Sequence, residues 1–167
     1  KKNNMGRFTG KIVAEYNPPT KWILEKDLGY TADLSEEESK TLEQVGVKIK
    51  MNLIIVKKGF VTDLASTPRI LWNLISPWDV ARAAIIHDLL YKTIRQYRWS
   101  MKTHKNDGII FRENKELVKK AKIVADKVFL MGMKDAYPKI PSWKIYAAWK
   151  AVDLFGRWSI IPNEDNI

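Results

Sequence analysis

The chain has 167 residues, 46% of them hydrophobic, with seven Trp, no Cys and a formal charge of +10. The length fits one domain that buries about two-thirds of its unfolded surface, and the composition excludes a disordered chain. Without Cys there are no disulfides and no thiolate-held zinc or iron–sulfur site, and His87 and His104 alone cannot form a histidine-only metal cage.

The longest uncharged apolar stretch, Ile70–Trp78, is far shorter than the roughly 18 residues a membrane span needs. The opening KKNNMGRFTG has no apolar core, so no secretory signal is expected. Lys dominates the basic excess. It points first to solubility and a weak pull on polyanions, since Arg is the better reader of phosphates and bases.

In chain order, Arg7–Tyr16 is a strand candidate closed by Asn17-Pro18-Pro19, and Trp22–Leu28 is a second, with Gly29 after it. Ser35-Glu36-Glu37-Glu38-Ser39 reads as a surface loop or a single helical turn. Val45–Lys57 holds one or two strands. Val47, Ile49 and Met51 alternate with lysines, and the run Leu53–Val56 suggests a strand buried on both faces.

After residue 70 the pattern becomes helical. Ser76 is a candidate N-cap, Pro77 takes the first helical position and Asp79 the third, and this helix should reach about Tyr97. Further helices are expected from about Lys102 to Asn114, from Lys115 or Glu116 to Met131 with Gly132 as its stop, and from Trp143 to Phe155 with Gly156 as its stop. The last carries Ile145, Ala148, Trp149, Val152 and Phe155 on one face. The sum is an α+β fold in one domain (1–167). A strand-rich part (about 7–62), of antiparallel strands, packs on a bundle of about four helices (about 70–157).

His87 shares the apolar stripe of its helix with Val80, Ala83, Ala84, Leu90, Tyr91 and Ile94. Asp88 lies about 100° further round, at the margin of that stripe. A core histidine, a surface ion pair of Asp88 with Lys92 and a simple turn over Asp63–Arg69 would account for each feature separately. Taken together, they place an imidazole and a carboxylate beside a segment rich in small polar residues: Thr62, Asp63, Ser66, Thr67 and Arg69. An imidazole held by a carboxylate can activate water as a general base. Asp107 on the following helix is the candidate orienter, Tyr91 its hydrogen-bond partner, and Asp88 with Asp63 are candidate oxygen ligands for Ca²⁺ or Mg²⁺.

The pattern T-D-x-A-S-x-P-R at Thr62–Arg69, followed by H-D-x-L-Y at His87–Tyr91, resembles a family of small bacteriophage and prophage proteins of unknown function. The likeness extends through Asn106–Phe111 and Tyr146–Gly156, covering about residues 55–157. It implies a phage gene. More distantly, H-D-x-x-Y on one helix and an Asp on a later one resemble secretory and parvoviral phospholipases. That resemblance implies a water-activating His87, a Ca²⁺-binding Asp88 and an Asp107 that orients the histidine. The glycine-rich calcium loop of those enzymes has no counterpart, since Asp63–Pro68 contains no Gly.

Three functions follow in order. The first is a His–Asp hydrolase, metal-assisted or not, acting on an ester or related bond of the host envelope. The second is a non-catalytic virion, tail or assembly component that docks on other phage proteins through Trp143 and Trp158. The third is an inhibitor of a host factor or a weak nucleic-acid binder using Lys115, Lys119, Lys120, Lys122 and Lys127. Each places the protein in the virion or the host bacterial cytoplasm.

Overall fold

The computed structural model describes residues 6–18, 21–62, 77–103, 114–137 and 139–167, with backbone alone at 77–79, 102 and 103. Among the described residues, seven short strands are β1 (Arg7–Phe8), β2 (Ala14–Asn17), β3 (Lys21–Leu24), β4 (Leu28–Thr31), β5 (Ile49–Lys50), β6 (Leu53–Val56) and β7 (Val61–Thr62). Four helices are α1 (Glu36–Gln44), α2 (Pro77–Thr103), α3 (Lys115–Lys134) and α4 (Ser142–Ser159). The strands form two antiparallel sheets, ordered β1-β4-β6-β5 and β2-β3-β7. The fold is therefore α+β, as the sequence pattern implies.

Both N-terminal strand candidates divide. Arg7–Tyr16 becomes β1 and β2 in different sheets, and the Trp22–Leu28 candidate is shared between β3 and β4, with the chain changing sheets at Glu25–Asp27. β5 and β6 form a hairpin whose turn residues Met51 and Asn52 both have positive φ, the geometry a two-residue turn needs to match strand twist. The run Leu53–Val56 is not covered on both faces. Ile54 and Val56 are buried and α2 packs on this strand, while Ile55, pointing to the other face, is exposed.

α1, nine residues long, corrects the expectation of a loop or a single helical turn at Ser35–Ser39. Ser35 Oγ accepts from the Glu38 amide at 3.2 Å, and the Ser35 amide donates to Glu38 Oε2 at 2.9 Å, closing a capping box. Glu36, Glu37 and Glu38 face the positive end of the helix dipole. Glu38 also accepts from Lys127 Nζ at 2.6 and 2.8 Å, which ties α1 to α3.

α2 runs 27 residues, about 40 Å, past the expected end at Tyr97. The start of the helix expected at 102–114 falls within the end of α2, and residues 104–113 lie outside the described residues. α2 packs on β4 and β6 with one flank and on α3 with another, and α4 lies against α3. One core runs through all of these, from Tyr30 and Ile54 in the sheet to Ile86, Phe129 and Ala148 in the helices.

The two glycines expected to stop α3 and α4 lie inside those helices. A Cβ on Gly132 would meet the Ala83 Cβ at 3.0 Å, and one on Gly156 would fall on the Tyr91 hydroxyl. Each marks a close helix approach, not a helix end. Arginines of α2 cap α4 instead: Arg95 donates to the Ser159 carbonyl at 3.1 Å and Arg98 to that of Ile160 at 2.7 Å. On α4, Phe155 is exposed and Gly156 buried, which moves the inward face one position along.

Replacing Ser35 with Ala should cost about 1 kcal/mol of stability, the usual value of a helix N-cap. Urea unfolding measures it, and an unchanged midpoint would show that α1 does not depend on its capping box.

Candidate functional site

Three helices bring one buried polar cluster together. His87 and Tyr91 stand one turn apart on α2, while Lys122 and Asp126 stand one turn apart on the facing side of α3. All four are buried, and His87 is 1% exposed. His87 Nε2 lies 3.0 Å from Asp126 Oδ1. The Tyr91 hydroxyl donates to the same oxygen at 2.7 Å. Lys122 Nζ donates to Asp126 Oδ2 at 2.6 Å and to the Asp153 carbonyl of α4 at 3.2 Å.

The aromatic setting fixes the imidazole plane. The Tyr91 ring lies 3.9 Å from that of His87, and Phe129 of α3 lies 5.0 Å from it. Gly156 leaves the space over the Tyr91 hydroxyl that any larger residue would fill.

Burial alone would raise the Asp126 carboxyl. The hydrogen bonds from His87, Lys122 and Tyr91 outweigh it and hold the group below the usual carboxylate value. Burial pushes the Tyr91 phenol well above its ordinary value, reinforced by the Asp126 charge and by the hydrogen bond to it. Tyr91 therefore remains a donor. A carboxylate can only accept, so the neutral imidazole tautomer that satisfies Asp126 carries its proton on Nε2 and leaves Nδ1 as the basic nitrogen.

Asp88 faces another way, toward the strands. Thr62, brought by the pairing of β7 with β3, donates its hydroxyl to Asp88 Oδ2 at 2.5 Å. Both line a cleft of about 430 Å³ with Lys92, Arg95, Asp165 and Asn166. Among the described residues, this lining includes Asp88 but not His87. Lys92 does not pair with Asp88 as an i,i+4 partner; its ammonium sits over the Phe60 ring at 5.7 Å.

The structure thus joins His87 and Tyr91, and separately Asp88 and Thr62. Asp63, Ser66, Thr67, Arg69 and Asp107 lie outside the described residues. The carboxylate that holds His87 among the described residues is Asp126, which the sequence reading passed over. Its signal was an acidic residue inside the apolar stripe Val118, Ala121, Ala125, Val128 and Phe129. Lys122 belongs to the same stripe and not to a lysine surface, and Lys127 is engaged by Glu38. Trp143 and Trp158 are exposed, whereas Trp149 packs against the core.

Asp126→Asn leaves the Lys122 ammonium buried without its counter-charge, which typically costs about 3–5 kcal/mol. Because folding depresses the Asp126 pKa, its stabilisation is full above about pH 4, near the unfolded value, and fades as pH falls through the lower folded value. Denaturation of wild type and variant across pH should show a gap that is wide at pH 7 and narrows in acid; a gap independent of pH would contradict an ionised Asp126.

No curated protein and no solved structure matches the chain. A family profile does match, over residues 40–152, a span that holds α2, α3 and every residue of the His87–Asp126 cluster. By that match the chain belongs to the family described as protein of unknown function (DUF1353).

Proposed function

We propose that the protein is a bacteriophage-encoded hydrolase in which His87 is the general base, acting on an ester or related bond of the host envelope. The observation that carries this reading is the bond from His87 Nε2 to Asp126, with Tyr91 on the same oxygen. A base needs a fixed tautomer and a fixed ring, and this cluster provides both. The H-D-x-x-Y spacing that resembles the phospholipase helix pair supports it too, with Asp126 as a carboxylate on a later helix that bonds His87. The phage signature at Thr62–Arg69 and His87–Tyr91 supports the origin.

In this reading Nδ1 of His87 takes a proton from water as the water oxygen bonds to the ester carbonyl carbon. The carbon–oxygen bond to the leaving group then breaks, and the proton passes to the departing alkoxide. Asp126 stabilises the imidazolium formed between the two steps. Tyr91 holds Asp126 in line.

Asp63, one of the two expected metal ligands, lies outside the described residues. Among them no three metal-binding side chains converge, and the cleft beside Asp88 also holds the cations of Lys92 and Arg95.

A second reading has its own observation. His87 is 1% exposed and its carboxylate partner is shared with Lys122, which also suits a buried knot that only fixes α2 against α3. The protein would then be a non-catalytic virion or assembly component.

One pair of measurements separates them. Ester hydrolysis is followed in a pH-stat with bacterial envelopes and dispersed phospholipid esters, alongside thermal melting. Hydrolysis lowered on the order of 10²–10⁴-fold in His87→Gln, with folding retained, supports the base. Turnover unaffected by His87→Gln, or none in the wild type, sinks it and leaves the knot.

A further inference from the structure

α4 is buried on one face only. Ile145, Ala148, Val152 and Gly156 face the core. The opposite face mixes basic side chains with large exposed aromatic and apolar ones, unlike the wholly polar surface that a soluble helix normally shows. Trp143, Leu154 and Trp158, at positions i, i+11 and i+15, fall on one outward line and are 61%, 49% and 57% exposed. Tyr146 and Phe155 flank that line, also exposed. Isolated apolar side chains at a surface need no explanation, but a row of aromatic residues along one helix marks a contact surface.

The charges on this helix are arranged around the rings. Lys144 stands over Trp143 at 5.6 Å, Lys150 over Trp149 at 5.5 Å and Arg157 over Trp158 at 5.1 Å. The sole acid on α4, Asp153, is turned toward Lys122 and Lys150. The chain as a whole carries +10. Tryptophan and tyrosine prefer the headgroup level of a bilayer, where an apolar ring and a polar edge are both satisfied. Lysine and arginine beside them add attraction to anionic lipid. No helix among the described residues is long and apolar enough to cross a membrane, so this face would lie on a bilayer, not span it.

We propose that the outward face of α4 docks on an anionic lipid surface, with Trp143, Leu154 and Trp158 entering the headgroup layer and Lys144, Lys150 and Arg157 contacting lipid phosphates. A protein partner would meet the same rings, but the cations placed over them and the charge of the chain favour a polyanionic, deformable surface. The proposal does not depend on chemistry at His87, and its test contains no activity measurement.

The full chain is sedimented with phosphatidylcholine vesicles and with vesicles containing phosphatidylglycerol, and tryptophan emission is recorded. Binding to the anionic vesicles with a blue shift, and much weaker binding to neutral ones, is expected. Trp143→Ala/Trp158→Ala should lower the partition about tenfold or more, from the apolar area no longer buried, with melting unchanged because both rings are exposed. Lys150→Glu/Arg157→Glu should also lower it, whereas Lys119→Glu/Lys120→Glu, the same charge change on α3, should not. Absence of vesicle binding overturns the proposal. So does an equal loss in the α3 variant, which would mean diffuse attraction by lysines. A dimer that Trp143→Ala/Trp158→Ala dissociates, without vesicle binding, would assign the face to a second copy and overturn it as well.

Discussion

The buried carboxylate of Asp126 is the constraint around which the helices are arranged. It accepts three donors from two helices: His87 and Tyr91 on one oxygen, Lys122 on the other. Lys122 then reaches the backbone of α4 at Asp153. An ion pair withdrawn from water gains little net stability, since desolvation offsets the attraction. What the cluster does enforce is placement. Rotating α3 by one residue, about 100°, would leave an ammonium, a carboxylate, an imidazole and a phenol in apolar surroundings without partners, each at a cost of several kcal/mol.

The glycines follow from that requirement. Gly156 costs α4 about 1 kcal/mol of helix propensity relative to Ala, yet a side chain there would occupy the position of the Tyr91 hydroxyl and press on Lys122. Gly132 lets α3 close on Ala83, one turn before His87. Close approach of α2, α3 and α4 is what allows short side chains such as Asp126 to bridge them. On the far flank of α2, the strands reach the adjacent residue: β7 is only two residues long, yet it carries Thr62 to Asp88.

Much of this was legible in the sequence. The change from alternating to helical periodicity near residue 70 gave the α+β class, and the stripe through Val80, His87 and Ile94 placed His87 and Tyr91 inside. What escaped notice did so for identifiable reasons. Lys122 groups with the surface lysines of its helix and Asp126 is not singled out, because pattern alone does not show which face of a lysine-rich helix is covered. Gly132 and Gly156 read as helix stops because a glycine needed for contact and one needed for termination look the same without the neighbour. α1 was hidden by its polarity, although Ser35 and Glu38 spell a capping box; only Thr41 and Leu42 of the helix are buried, so its hydrophobic signal is weak.

Consecutive residues on a helix point about 100° apart, and α2 uses that separation. His87 is directed to α3 and answered by a carboxylate and two aromatic rings. Asp88 is directed to the strands and answered by a hydroxyl at the wall of a cleft. Both members of the H-D pair are buried, but Asp88 lies at the wall of a cleft whose described lining does not include His87. A depressed carboxyl at Asp126 keeps its negative charge fixed beside the imidazole through the neutral range, and the Lys122 ammonium balances that charge on the opposite oxygen. The imidazole is thereby held by geometry more than by unbalanced charge. Tyr91 adds a donor without a charge on the oxygen that faces His87, and Lys122 holds the other oxygen.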